Sequence, residues 1–599
     1  MNLTLRLAAL AVLLLGSGRA SAQTQTPTPD VKQKLAGFEL TVNQLLKDWN
    51  VPGCGVAVVV KNKLVFAQGY GFRNLEKKQP VTASTLFPIA SNTKLFTATA
   101  VGLLVEEGKL DWDQPIKKYV PQIQFYNDEL TAHVTMRDML SHRTGLSRHD
   151  GIWYNGNFSR QELFDRIKYL EPSEPLRQGF LYNNLMYAAA GRIVEQLSGQ
   201  TWENYIQAKF FAPLGMTRSG FSTEAMQKQL DFLTAYLEKR DTTTLMPYPF
   251  YTRQQGVGPA GAIVSDLNDM SKWLIAQMNG GQFNGKMVIP KTVIRATMQP
   301  AALTAEVPDK YFEDVNLMYG MGRFTFGYKG HYRTEHGGSI GGVYSQVSFM
   351  PADSVGVIVF VNGVHARRML NVLVNSVYDR VLDLPATAWN ERNLKNYRLD
   401  KATARAARRK PATDRVPNTR PSHPLADYVG QYEDPAYGVL QISREGADQL
   451  RYTFNNMSLP LTHYHYDRFM SPDDEILGQS SFIFTANAQG DIREARISMD
   501  EKEVVFIKKG DPKLLDPAFL KTLAGQYELN GDIQTVAFAN QGLTVGTAPV
   551  QHLVAYKNNT FRIQEFSDQL VQFNLDAKGT PIGFNFTVNG QNYLYSRKK

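Results

Sequence analysis

The stretch Phe87-Pro88-Ile89-Ala90-Ser91-Asn92-Thr93-Lys94, running on into the apolar segment 95–105, constrains this chain more than any other. Pro88 and the small residues after it suit the entry to a helix, Leu95, Phe96, Leu103 and Leu104 suit a buried one, and Gly108 suits its stop. Residues three apart on a helix share a face, so Ser91 and Lys94 are neighbours. A helix that starts near Ser91 puts the hydroxyl at the positive end of the macrodipole, where a developing anion is stabilised, with the Lys94 ammonium beside it. That arrangement makes a nucleophilic serine without a histidine. The same spacing at Ser596-Arg597-Lys598-Lys599 lies in a polar chain end and has no such context. The plain alternative for Ser91 is a helix N-cap.

A chain of 599 residues is too long for one core, and roughly three to four domains are expected. Its 43% hydrophobic and 11% aromatic content is that of a folding chain rather than a disordered one. Residues 1–22 read as a secretory signal: Arg6, an apolar run over 7–15, then Ala20-Ser21-Ala22 as the cleavage site. A periplasmic or secreted protein cleaved after Ala22 follows, with no integral membrane segment once the signal is removed, since no other stretch is long and uncharged enough. The single Cys54 cannot pair within the chain and is expected to pack in a strand.

The net charge of +9 invites a nucleic-acid reading, but the charge is concentrated. Arg6 and Arg19 leave with the signal, and residues 391–420 hold ten Lys or Arg against three Asp or Glu, which leaves the remainder neutral. Only Tyr397 interleaves with those cations, so a solvated linker is expected and no nucleic-acid face.

Residues 31–49 read as an amphipathic helix with Leu35, Phe38, Leu45 and Leu46 inward, followed by strands at 55–60 and 63–69 joined at Lys61-Asn62. A short helix capped by Thr135 ends at the Gly145 turn. Two further stretches carry chemistry. Tyr182-Asn183-Asn184 opens a helix, and a tyrosine there, with an amide two residues on, can take a proton or hold the lysine. Because tyrosine titrates near 10, it serves as a base at neutral pH only beside a cation such as Lys94. His336-Gly337-Gly338-Ser339 lies between strand-like segments, and its glycines let a strand edge approach a substrate and offer a backbone N–H to an oxyanion. Standing alone, Tyr182 reads as a core aromatic and His336 as an ordinary sheet histidine.

Together, Ser91-Asn92-Thr93-Lys94, Tyr182-Asn183-Asn184 and His336-Gly337-Gly338 resemble the S-x-x-K, Y-x-N and K/H-T/S/G-G pattern of the serine β-lactamase and penicillin-recognising peptidase superfamily, in particular its class C-like branch of β-lactamases, DD-peptidases, esterases and D-aminopeptidases. Ser141-His142-Arg143-Thr144-Gly145-Leu146, the stretch from Gly258-Pro259-Ala260-Gly261 to Ser265, and Tyr319-Gly320-Met321-Gly322 are similar too. The resemblance covers roughly residues 35–385. It implies an α/β (α+β) β-lactamase/transpeptidase-like domain, an antiparallel sheet flanked by helices, over 31–385. It also implies acyl transfer: Ser91 attacks a carbonyl, Lys94 and Tyr182 share the proton, Asn184 holds the substrate or Lys94, His336 and the Gly337-Gly338 edge line the substrate site, and the backbone N–H groups of Ser91 and Ser339 hold the oxyanion. Gly337 supplies no hydroxyl to a substrate carboxylate, which argues against efficient β-lactamase or carboxypeptidase action and for an esterase or D-amino-acid peptidase.

Two competing motifs are weaker. Gly337-Gly338-Ser339-Ile340-Gly341 matches a nucleophile elbow with Asp353 and His365 downstream, but an elbow needs a helix after the serine and strands follow. Gly280-Gly281-Gln282-Phe283-Asn284-Gly285-Lys286 nearly matches a phosphate loop, yet Met287 replaces the Ser/Thr and the stretch reads as a hairpin. None of the ten histidines shows metal spacing, so neither metal nor cofactor is expected.

The basic linker over 386–424 begins as a plausible helix, 394–410, and ends in Pro411, Pro417, Pro421 and Pro424. Beyond it Gly430-Gln431-Tyr432-Glu433 recurs as Gly525-Gln526-Tyr527-Glu528, and short alternating segments indicate two small all-β barrel-like domains over 425–511 and 515–599. These resemble the lipocalin-like barrels appended to some D-aminopeptidases, and are expected to restrict the active-site mouth or set up a dimer, or else to be independent modules. The expected function is an exported serine hydrolase acting on a small-molecule or peptide substrate, with a homo-oligomer left open. The alternative is a non-catalytic binding or sensor protein that keeps the fold and carries ligands on its barrels.

Overall fold

The computed structural model describes residues 31–250, 256–304, 311–363, 365–410, 413–499, 502–547 and 549–598. The secretory signal expected over 1–22 lies outside them. Among the described residues no helix is long and apolar enough to cross a membrane.

The first two strands, Gly53–Val60 and Lys63–Asn74, are joined by Lys61 and Asn62 at φ 47° and 61°, the left-handed pair of a tight hairpin turn. The hairpin completes a sheet made later in the chain. Gly53–Val60 pairs antiparallel with Val355–Val361, Cys54 opposite Val361 and Val60 opposite Val355. The whole is a nine-stranded sheet in the order Ala302–Leu303, Asp314–Tyr319, Phe324–Tyr328, His331–Ile340, Val343–Met350, Val355–Val361, Gly53–Val60, Lys63–Asn74 and Gln79–Pro80. Val355–Val361 is buried along its whole length and Gly53–Val60 over all but its last residue, which is why both are continuous stretches of small and apolar residues rather than alternating strands.

One face carries Phe38–Asp48, whose Phe38, Val42, Leu45 and Leu46 are buried, together with Arg367–Val381. The other carries Thr93–Glu106, Asn184–Ser198 and Leu267–Met278. Thr93–Glu106 is largely apolar and buried all round from Thr93 to Leu104, enclosed between sheet and helices. The motif over 280–287 is the hairpin the sequence indicates, Gln282–Phe283 against Lys286–Met287.

The segment after 385 is less of a linker than its charge suggests. Trp389–Arg409 is one helix whose Trp389 and Leu394 are buried against the sheet's outer core, with Trp389 Nε1 donating to Tyr328 Oη at 3.1 Å. Its cations are only partly solvated: Arg392 pairs with Glu313 at 2.8 Å, Arg408 with Asp241 at 2.6 Å, and Lys401 with Glu238. Charge counting missed this because the carboxylates lie far away in sequence.

Two closed eight-stranded antiparallel barrels follow, running from Gly430–Asp434 to Lys502–Lys508 and from Gly525–Leu529 to Gln591–Arg597. The four-residue repeat opens each. Tyr432 Oη donates to Tyr428 O at 2.7 Å and Tyr527 Oη to Leu523 O at 2.8 Å. Glu433 pairs with Lys509, and Glu528 with Lys598, both at 3.0 Å. The repeat is the closure of the barrel, first strand to last. Aromatic side chains fill the interiors, among them Tyr452, Phe454, Phe469 and Phe482 in the first and Phe561, Phe573 and Phe584 in the second. The core of the first barrel is continuous with that of the catalytic domain, whereas the second has its own.

Candidate active site

The chain enters the site under strain. Ala90 sits at φ 47°, a region a side chain with Cβ occupies at a cost of about 1–2 kcal/mol, and the next residue is Ser91. The α-helix begins at Thr93, two residues later than expected, because Asn92 N–H bonds Ile89 O at 3.2 Å and makes Ala90–Asn92 a 3₁₀ turn. Ser91 is thereby set at the mouth of the helix, partly exposed, while Lys94 is fully buried one turn on.

Lys94 Nζ reaches three acceptors: Ser91 Oγ at 3.1 Å, Asn184 Oδ1 at 2.7 Å and Ala260 O at 2.8 Å. Burial pushes its pKa well below the ordinary lysine range; Asp150 opposes that and Arg148 adds to it. A neutral amine has two N–H donors, enough for Asn184 and Ala260, and one lone pair left for the Ser91 hydroxyl. Tyr182 hydrogen-bonds Ser91 from another side, and burial pushes its pKa up, so the phenol keeps its proton. Burial thus favours the uncharged form of both groups, the amine of Lys94 and the phenol of Tyr182. Lys94 Nζ lies 4.9 Å from the Tyr182 ring centroid, and the His142 ring packs on Tyr182 at 4.3 Å.

Asn183 caps the helix Asn184–Ser198, accepting from Met186 N at 3.0 Å, which turns Asn184 inward. Asn184 Nδ2 donates to Asp150 Oδ1 at 2.9 Å, and Asp150 Oδ2 accepts from Arg148 Nε at 2.8 Å.

The third motif lies in His331–Ile340. That strand pairs with Phe324–Tyr328 only as far as Glu335, but with Val343–Met350 out to Ile340, so 336–340 present one edge unpaired within the sheet. At Gly338 an added Cβ would overlap Ile89 O and Ser345 Oγ, so only glycine lets the strand lie against the turn before Ser91. At Gly337 the nearest atom to an added Cβ is 3.8 Å away, so packing does not require glycine there. His336 Nε2 is 3.0 Å from Tyr319 Oη, and burial, reinforced by Lys94, drives its pKa down to about 3. It is a neutral ring and gives the cleft no positive charge. Ser339 pairs with Tyr344 in the strand register.

Ser91, Tyr182, Asn184, His336, Gly337, Gly338 and Ser339 all border one cleft of about 840 Å³, with Lys94 buried behind Ser91; Trp153, Tyr154, Phe180, Tyr248 and Phe324 supply aromatic walls. Arg148, Asp150 and the Ala260 carbonyl went unnoticed in the sequence: Arg148 and Asp150 follow the Ser141-to-Leu146 stretch without a pattern of their own, and a backbone acceptor leaves no mark in residue type. The elbow alternative has no triad, since Asp353 bonds His331 at 2.9 Å and His365 bonds Trp49 O at 2.6 Å.

A serine next to a buried lysine and a tyrosine, at the edge of an antiparallel sheet flanked by helices, defines the penicillin-recognising class of serine hydrolases. A family model described as Beta-lactamase matches residues 38–377, more than half of the chain, and the chain belongs to that family. A second model, described as a domain of unknown function (DUF3471), matches residues 414–508, which contain the first barrel. The unguisins hydrolase ungD of Aspergillus violaceofuscus is 28% identical over 439 residues, spanning 69% of this chain and 77% of its own length. Protein flp of Staphylococcus aureus is 24% identical over 242 residues, 39% of this chain and 47% of its own. The octameric penicillin-binding protein homologue from Pyrococcus abyssi aligns with a TM-score of 0.50 at 21% identity, covering 79% of this chain and 98% of that one.

Proposed function

We propose that this chain is an exported serine hydrolase, cleaved after Ala22, that forms an acyl-enzyme at Ser91 on esters and on amides or peptides of the D-amino-acid kind. The observation that carries this reading is Lys94 Nζ, fully buried and 3.1 Å from Ser91 Oγ. Neutral Lys94 takes the Ser91 proton as Oγ attacks the carbonyl carbon, and the carbonyl electron pair moves to an oxyanion held by the backbone N–H groups of Ser91 and Ser339. As the C–O or C–N bond breaks, Tyr182 passes its proton to the leaving group and is reprotonated from Lys94. Water then repeats the attack on the ester at Ser91 and releases the acid.

Two features favour uncharged acyl groups. His336 is neutral and Gly337 brings no hydroxyl, so the third motif offers little to a substrate carboxylate. The wide, aromatic-walled cleft suits a bulky substrate. Aromatic side chains occupy the barrel interiors, so the alternative of a sensor carrying ligands on its barrels would need their outer faces.

The test is a panel of p-nitrophenyl esters, D- and L-amino-acid p-nitroanilides and a chromogenic cephalosporin, run with the wild type and Ser91→Ala. Ester and D-anilide hydrolysis that vanishes in Ser91→Ala, with the cephalosporin much slower, is the expected result. Hydrolysis retained by Ser91→Ala overturns the nucleophile, and cephalosporin turnover faster than the esters overturns the substrate class.

A further inference from the structure

We propose that Asp150 is a positioning residue for Lys94, acting through Asn184, and that the first barrel holds it in place by gripping segment 149–158. The Asn184 amide is oriented from both ends: Oδ1 accepts from Lys94 at 2.7 Å and Nδ2 donates to Asp150 Oδ1 at 2.9 Å. A flipped amide would turn its NH₂ on the lysine, and Asp150 forbids the flip. Asp150 is itself fixed by Trp153 Nε1 at 2.8 Å and by the Arg148 guanidinium.

Within the catalytic domain the segment is held by buried Ile152 and by Asn184, and the first barrel adds a second set of contacts. His149 precedes Asp150 in the left-handed region, φ 49°, a conformation its surroundings must hold. The barrel is part of those surroundings. Buried His149 has Nδ1 2.9 Å from Tyr437 Oη, and its Nε2 is 3.2 Å from Ser147 Oγ. Gly151 lies against the barrel so closely that an added Cβ would meet Tyr437 and Met499 at 3.2 Å. Asn455 donates to Tyr154 O at 3.1 Å, and Asn456 N donates to Asn155 O at 2.9 Å. Tyr437, Asn455 and Met499 come from three separate parts of the barrel, and they close on the one segment that brings Asp150, Trp153 and Tyr154 to the cleft. The barrel thus serves the site from behind its wall.

The consequence is readable in pH dependence. The groups bearing on Lys94 are Ser91, Tyr182, Tyr187, Asn184, the Ala260 carbonyl, Asp150, Arg148, His142 and His336. Asp150 is the anion among them and favours the ammonium, so removing its charge lets Lys94 lose its proton at a lower pH. The experiment measures the rate of Ser91 labelling by a fluorophosphonate across pH 4 to 10 for full-length wild type, Asp150→Asn and Tyr437→Phe, with melting curves alongside. Labelling of both variants at neutral pH is expected to slow by about 10- to 100-fold, as for a reacting group displaced by about 1 Å, with the acid limb moved to lower pH in both. A merely structural role slows labelling without moving that limb, and this outcome overturns the proposal, as do wild-type rates and limbs in both variants. If Tyr437→Phe does not fold, Asp150→Asn decides by the same limb. The proposal rests on the serine-hydrolase reading: an unlabelled wild type removes both, whereas a labelled wild type with unaltered variants removes this one alone.

Discussion

At the scale of single residues, the adjacent glycines of the third motif separate packing from chemistry. Gly338→Ala drives a Cβ into Ile89 O and Ser345 Oγ, so it should lower the melting temperature and abolish ester hydrolysis together. Gly337→Ser has room, its nearest neighbour 3.8 Å from the new Cβ; stability should hold, while acylation by a cephalosporin rises as a hydroxyl joins the cleft. His336 carries a prediction about acid stability. Burial pushes its pKa from the ordinary 6.5 down to about 3, so below pH 6.5 the unfolded state takes up a proton that the folded state refuses. Stability attributable to this ring is therefore lost as pH falls from 6.5 towards 3, and His336→Gln should flatten that part of a denaturation profile. That Ser91, Lys94, Tyr182 and Asn184 meet in one place was legible because the two motifs that carry them stand at the starts of helices that pack together. The Ala260 carbonyl and Asp150 were not, since one is backbone and the other acts through a partner distant in sequence.

At the scale of elements, periodicity read well wherever burial is one-sided or complete. The Lys61-Asn62 hairpin and the apolar helix after Ser91 are found, whereas the single helix expected over 31–49 is two, Val31–Lys34 and Phe38–Asp48, broken where Gly37 turns left-handed at φ 72°. The basic helix was placed in sequence but not in space: an excess of charge says that a surface is wetted, not which carboxylates meet it. Trp389–Arg409 lies on the sheet's outer core through Trp389, 4% exposed. Trp389→Ala should destabilise the catalytic domain by about 3–5 kcal/mol, the cost of emptying a buried tryptophan site. Urea titration measures it, and a change below 1 kcal/mol would show the helix to be a tether after all.

At the scale of the whole molecule, the two barrels are alike in build and unlike in attachment. The first shares a core with the catalytic domain and grips the active-site wall; the second has its own core and meets the first through contacts such as Asn487 to Tyr556 Oη at 3.0 Å. A chain ended at residue 511 should keep full ester hydrolysis and lose one calorimetric transition, and one ended near residue 385 should lose activity along with its wall support. The repeat in the sequence disclosed two barrels; it could not disclose this asymmetry, which lies in contacts between units rather than within either. Acyl transfer in this cleft turns on Ser91 being an activated nucleophile. Intact mass of the full-length protein after exposure to a fluorophosphonate, with Ser91→Ala alongside, tests that most directly. One phosphonyl adduct on the wild type and none on the variant is the predicted result; an adduct on both, or on neither, would contradict it.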